Sequence, residues 1–237
     1  MMVSLDNTYC SQLFFLPARN SDGQLVGLKI VSQFSGIDND IRIPTGLVLP
    51  RLTPQQEITL FEEKLALLNN CQLFFLQHNL KAWITIPPGL VDVLLADAEL
   101  AASAQRFPFL ELAVSESFPG LNQIDDQHPL AQLSLYFPLV LSDFGSGDAS
   151  TRAVFSGLFS RVVLDRNFVQ RQARSASFEP FMRAIVTQIQ PYCQGIMISG
   201  VDDGNTRQRV ASYGFSGMLG SLWPVVAESS LITLVQQ

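Results

Sequence analysis

Histidine and cysteine are scarce in this chain of 237 residues, which has two of the first and three of the second. Cys10, Cys71 and Cys193 stand far apart and no CxxC occurs, so a structural zinc site is not expected. His78 and His128 sit in the polar stretches QHNL and DDQHP and read as surface residues. An odd cysteine count with no framework suits a reducing compartment. Charge is also sparse, at 15% of residues against 47% hydrophobic, which excludes disorder over most of the chain. The net charge of -6 argues against nucleic-acid binding, which needs Lys and Arg to neutralise phosphates. No apolar run approaches the ~18 residues that span a bilayer. The opening MMVSLDNTYC lacks the basic-then-apolar order of a signal peptide. There is no G-x-S-x-G elbow, no Walker loop and no Gly-rich dinucleotide fingerprint. No linker, low-complexity tract or clear repeat breaks the sequence. The expectation is one cytoplasmic domain over residues 1–237, with no cofactor and no membrane segment.

The pattern that is present centres on Pro138 to Gly147, PLVLSDFGSG. An apolar run enters an acidic, Gly-punctuated turn, as a buried strand ending in a loop would. In barrels and open α/β sheets, sites are built at that end of a strand. Asp143 is therefore a candidate ligand or catalytic carboxylate, and a strand-ending turn whose Asp caps the next helix fits equally. Asp-Phe-Gly alone does not make a kinase, because no Gly-rich phosphate loop with a following strand Lys precedes it.

Runs of the same kind recur along the chain. Residues 12–18 and 24–31 read as strands joined by a turn with Asp22-Gly23, which suits a hairpin. Residues 32–52 look irregular. Thr53-Pro54 opens a helix in which Leu60, Phe61, Lys64, Leu65 and Leu68 follow at helical spacing, and Asn69-Asn70 suits its end. Further strands are expected at 82–86, 109–114, 138–141, 161–165, 195–200 and 215–222. Helices are expected at 91–105, 125–135, 148–160, 166–190, before Ala211, and from Val226 to Gln237. Eight strands, most followed by a helix, imply an α/β fold of the TIM-like (β/α)8 barrel type. The first two strands lie too close in sequence for a helix between them, so one of them is expected to run antiparallel.

The chemistry available to such a barrel is a set of acids at strand ends: Glu116, Asp143, Asp165 and Asp202. Converging carboxylates hold Mg²⁺ or act as acid and base, whereas helix caps and N-terminal charges account for the same residues. Arg166, Arg171 and Arg174 read as a solvated helix face rather than a phosphate site. Lys29 is a charge on an apolar strand, either an edge amine or a nucleophilic one.

The order of these stretches resembles the EAL family of cyclic-di-GMP phosphodiesterases over nearly the whole chain. FFLPAR with GLKIVSQF resembles that family's opening hairpin, and AWITI and LELAVSES its next strands. SDFGSG with RVVLDRNFV resembles its Asp-Asp-Phe-Gly-Thr-Gly loop and Lys-Ile-Asp strand. ISGVD and MLGSLWP resemble its closing segments. The resemblance implies an EAL-type barrel with a damaged site. Lys29 stands for the signature Glu, Thr85 for an Asn ligand and Ala113 for a metal-binding Glu. Ser142 stands for the first Asp of a pair, Val163 for the Lys that positions water and Ser199 for a Glu. Leu219 stands for a Gln, and Leu16 and Gln33 replace nucleotide-holding Gln and Arg. Glu116, which steadies a loop in the family, is retained with Asp143, Asp165 and, as a shortened Glu, Asp202.

Two Mg²⁺ ions need several anionic oxygens at once, so these replacements imply no bound metal and no hydrolysis. The tracts RIPT, FFLQH and GLF-RV-LD resemble degenerate members of the family that bind the FlhD subunit of the flagellar activator FlhDC and repress motility genes. That resemblance implies an interaction protein with FlhDC as partner. The alternative is a non-hydrolysing cyclic-di-GMP receptor, against which Leu16, Gln33 and Leu219 count.

Overall fold

The computed structural model describes residues 1–4, 8–36, 42–147, 151–175 and 177–236. The strands are β1 (Met2–Ser4), β2 (Thr8–Arg19), β3 (Leu25–Gly36), β4 (Arg42–Ile43) and β5 (Lys81–Thr85). They continue with β6 (Leu110–Ser115), β7 (Leu139–Phe144), β8 (Phe159–Leu164), β9 (Gly195–Ser199) and β10 (Gly217–Leu219). The helices are α1 (Thr45–Val48), α2 (Pro54–Gln77), α3 (Pro88–Ala96), α4 (Ala98–Gln105) and α5 (Pro129–Leu133). Those that follow are α6 (Thr151–Phe155), α7 (Arg166–Ala173), α8 (Phe178–Ile189) and α9 (Gly204–Val210). None is long and apolar enough to cross a membrane, among the described residues.

The sheet closes on itself in the order β2-β10-β9-β8-β7-β6-β5-β3, with β3 pairing back to β2. Strands β3 and β5 to β10 run parallel, and β2 is antiparallel to both of its barrel neighbours. The expected (β/α)8 barrel with one antiparallel early strand is thus the observed one. The β2–β3 hairpin turns where Gly23 takes φ +83° and the Asn20 side chain accepts from the Gln24 amide at 2.9 Å.

Several boundaries differ from expectation. Strand β3 runs on to Gly36, into the stretch read as irregular. Helix α2 passes through Asn69-Asn70 to Gln77, because both Asn are exposed while Leu67, Leu68, Cys71 and Phe75 carry the buried stripe onward. Its start is as expected: Thr53 and Gln56 form a reciprocal capping box. The expected helix at 91–105 is two helices, split at Asp97, whose carboxylate caps α4. Only Pro129–Leu133 is α-helical within 125–135. Of the helix expected at 148–160, residues 148–150 lie outside the described residues and Phe159 already belongs to β8. The terminal helix is instead a 3-10 segment, Glu228–Leu234. Val226 bridges to Phe15 and the Leu234 carbonyl accepts from the Arg19 guanidinium at 3.0 Å, so the segment is moulded to β2 rather than to its own periodicity.

Two cores result. A large one lies between strands and helices, where Phe75 stacks on Phe109 at 4.7 Å between ring centres. A small one fills the barrel with Ala18, Trp83, Ala113, Val140, Met197 and Leu219. Below it, toward the N-terminal ends of the parallel strands, Glu111 is only 3% exposed. Its carboxylate accepts from Trp83 Nε1 and from Arg161 Nε, both at 2.8 Å. The Trp83 indole lies over Gly27, where an added Cβ would come within 2.3 Å of it, so that position has room for no side chain. Glu111→Ala strands both donors beneath the barrel floor and is expected to destabilise the fold by about 3 kcal/mol. Urea melts followed by tryptophan fluorescence check this, and Glu111→Gln, which keeps an acceptor, should lose less.

Candidate functional site

The C-terminal ends of the parallel strands form the barrel mouth, where the sequence places its candidates. Glu116 follows β6 and is buried. It accepts from the backbone N–H groups of Gly145 (2.5 Å), Ser146 (3.0 Å) and Gly147 (3.4 Å) on the loop after β7. It therefore ties the end of β6 to that loop. Gly145 has φ +97° and a Cβ there would come within 2.8 Å of the Phe168 ring, so that position has no room for a side chain. Asp143 takes φ +60°, a left-handed conformation that Asp tolerates better than most residues. Its Oδ2 accepts from the Ser142 hydroxyl at 3.1 Å.

The other two acids are also occupied. Asp165 is the N-cap of α7 and accepts from the Phe168 N–H at 2.7 Å. Asp202 accepts from the Ser221 N–H (2.8 Å) and hydroxyl (2.9 Å), pairs with Arg166 at 2.9 Å and accepts from Gln170. Burial alone would raise its pKa, but Ser221 and Arg166 outweigh that and hold it below the usual range. Among the described residues, no group of three His, Cys, Asp or Glu is placed to hold a metal ion. Arg171 and Arg174 are exposed, as a solvated face would be.

The nine positions where the sequence departs from the resemblance are distributed unevenly. Leu16, Lys29, Ala113, Ser142, Val163, Ser199 and Leu219 line one cavity of about 50 Å³, together with Trp83, Val140 and Met197. Eight strands thus deliver side chains to one point, most of them apolar or small, with Lys29 the one charge among them. Gln33 is half-buried on β3 and lines neither this cavity nor the next. Thr85 lines the next one.

That second cavity has a volume of about 450 Å³ and lies between β3, α2, the end of β5 and the start of α3. Lys29 borders both. Its walls are mostly apolar, with Leu49, Leu52, Leu60, Phe61, Leu90 and Phe118 among them. The polar exceptions include Ser32, Glu57, Lys64 and Thr85. Lys64 is 8% exposed and has no hydrogen bond or ion pair among the described residues. Burial, followed by the charge of Lys29, pushes its ammonium down to about 8. The hydroxyls of Ser32 and Thr85 are buried without a partner. Sequence reading placed Lys64 on the helix but assigned it nothing. The signal was there, since Lys64 is the one charge in the stripe Leu60, Phe61, Leu65, Leu68.

No family model matches the chain. The anti-FlhC(2)FlhD(4) factor YdiV of Salmonella typhimurium is 52% identical over 237 residues, 100% of each chain. The YdiV protein of Escherichia coli is 41% identical over 237 residues, again 100% of each. The crystal structure of the EAL-like domain protein YdiV has a TM-score of 0.88 at 41% identity, covering 99% of this chain and 100% of that one. A phosphodiesterase, PaMucR in a c-di-GMP complex, shares the fold with a TM-score of 0.67 at 19% identity, over 90% of each chain.

The buried ammonium makes stability depend on pH. The ordinary lysine value is 10.5 and the folded one about 8, so between these the unfolded chain holds the extra proton. Stability contributed by this site therefore rises with pH from about 8 to 10.5. Relative to wild type, Lys64→Met should be more stable at pH 7 by about 1–3 kcal/mol, and the difference should shrink across that window. Paired denaturant melts at pH 7 and pH 10 measure it.

Proposed function

The chain belongs to the YdiV family of anti-FlhC(2)FlhD(4) factors, and from that premise we propose that it is itself such a factor. It acts by binding, with residues 1–237 serving as one EAL-like unit, and it is not a diesterase. Its partner is the flagellar activator complex, engaged through the FlhD subunit, and the consequence is repression of motility genes. Full-length identity of 52% to the Salmonella typhimurium protein carries this reading.

The barrel mouth supports the negative half. Two-metal hydrolysis needs clustered anionic oxygens and room for a phosphodiester. At this mouth, Lys29 presents a cation, Ala113, Val163 and Leu219 present carbon, and the space is about 50 Å³. Glu116, Asp165 and Asp202 are engaged in holding loops and a helix start, and Asp143 accepts from the adjacent Ser142 hydroxyl. A cyclic-di-GMP receptor is disfavoured because Leu16 and Leu219 present carbon at this mouth, where a nucleotide needs polar partners.

Binding to purified FlhC(2)FlhD(4) by calorimetry is the direct test. Wild type and Asp143→Ala should bind the complex with the same affinity within about twofold, because Asp143 takes part in no interface chemistry on this reading. Cyclic-di-GMP with Mg²⁺ should give neither heat nor turnover. A diesterase activity abolished by Asp143→Ala would overturn the proposal, and tight cyclic-di-GMP binding without turnover would replace it with the receptor reading.

A further inference from the structure

We propose that the cavity between β3 and α2 is a binding site for a small organic carboxylate with an apolar body, its head held by Lys64 and Lys29. This site adjoins the mouth cavity, sharing Lys29 with it, and does not depend on the partner reading above.

The argument begins with unmet polar demand. A buried ammonium with no counter-ion is costly, and a chain that keeps one gains stability when something else supplies the anion. Lys64 is such a group: 8% exposed, on the inner face of α2, with no ion pair among the described residues. Lys29 faces the same space and likewise has no ion pair or hydrogen bond among the described residues. The two amines are near enough to repel one another, which lowers the proton affinity of Lys64. An anion between them relieves both the repulsion and the missing partner. Ser32, 7% exposed, and Thr85 add two hydroxyls with nothing to bond to, each lining this cavity. Two buried hydroxyls without a partner among the described residues, beside two amines with no ion pair, are a recognition pattern, since buried polar atoms are otherwise paired.

The rest of the wall selects the ligand's chemistry. About 450 Å³ is within the range of small-molecule sites, and such sites combine apolar walls with a few convergent polar groups. Leu49, Leu52, Leu60, Phe61, Leu90 and Phe118 offer nothing to a hydrated, multiply charged ligand. Glu57 also lines the cavity and offsets one of the two cations. It stands seven residues before Lys64 on α2, about 10 Å along the helix axis, and no ion pair joins them. Two amines less one carboxylate leave a single positive charge, which matches a monoanion. A phosphate monoester carries more charge and would lose more hydration on entering this wall. The carboxylate accepts from the amines and hydroxyls, and its apolar chain lies along the leucine and phenylalanine side chains.

The probe pair is decanoate and its neutral counterpart decanamide, titrated calorimetrically into the full chain at pH 7, with decyl phosphate as a third ligand. Wild type should bind decanoate at least about tenfold more tightly than decanamide, and more tightly than decyl phosphate. Lys64→Met should erase the preference for decanoate while leaving decanamide binding in place. Lys29→Met, at a less buried position, should reduce the preference in the same direction, and circular dichroism confirms that each variant is folded. Raising the pH to 9.5 should weaken decanoate binding to wild type and spare decanamide. The pH and Lys29→Met arms decide the matter even if Lys64→Met does not fold. Equal affinity for decanoate and decanamide, absence of decanoate binding, or a preference unchanged in both variants overturns the proposal. A preference for decyl phosphate over decanoate overturns the carboxylate assignment.

Discussion

The closed barrel depends on how its interior is filled, and that filling is anchored by one buried acid. Glu111 accepts from Trp83 on the neighbouring strand and from Arg161 across the barrel, so β5, β6 and β8 are tied at one height. The indole this fixes lies over Gly27 on β3, which brings the hairpin strand into the same layer. Above it the space is taken by Ala113, Val140, Met197 and Leu219. A buried ion pair is not an efficient source of stability, because desolvation offsets much of its attraction. What this one supplies is position: directional bonds set the height of the layer on which the apolar residues of the mouth rest.

The mouth follows from that layer. In a TIM-like barrel the strand ends are where chemistry is placed, and the eight barrel strands do converge on one point. The side chains delivered there are nevertheless those of a core. Leucine, valine and alanine fill volume, and the serines are small. The acids retained nearby have become structural: Glu116 braces a loop through three backbone N–H groups, and Asp165 begins a helix. A mouth built this way is packed as the interior of a core is.

Much of the fold was legible because the parallel strands are buried on both faces and so appear as uninterrupted apolar runs between turns. The hairpin was legible from Asp22-Gly23 and the first long helix from Thr53-Pro54. Three features were not. The end of α2 was misplaced at Asn69-Asn70 because local propensity favoured a stop, whereas Phe75 and its partner Phe109, distant in sequence, reward continuation. The final segment was misread as a helix because its shape is set by β2, through Val226 and Leu234. The split at Asp97 was missed because a helix cap inside a helical pattern looks like any other polar residue. The mouth positions could be ordered only by family resemblance, since nothing in their spacing says that residues as distant as Leu16 and Leu219 meet. Lys64 shows the opposite case: its anomaly was visible in the stripe of α2, but a stripe does not reveal whether a buried amine has a partner.

The antiparallel strand has a consequence for how the chain comes to be folded. Arg19 on β2 pairs with Met218 on β10, and Phe15 on β2 with Val226 beyond it. Synthesis runs from the first of these to the last, so β1 can claim Thr8–Cys10 early while the later half of β2 keeps one side open until nearly all the remaining strands have emerged. Contacts this distant in sequence make closure late and slow. Until residue 217 and those after it are available the barrel cannot close, and the later half of β2 is an open sheet edge.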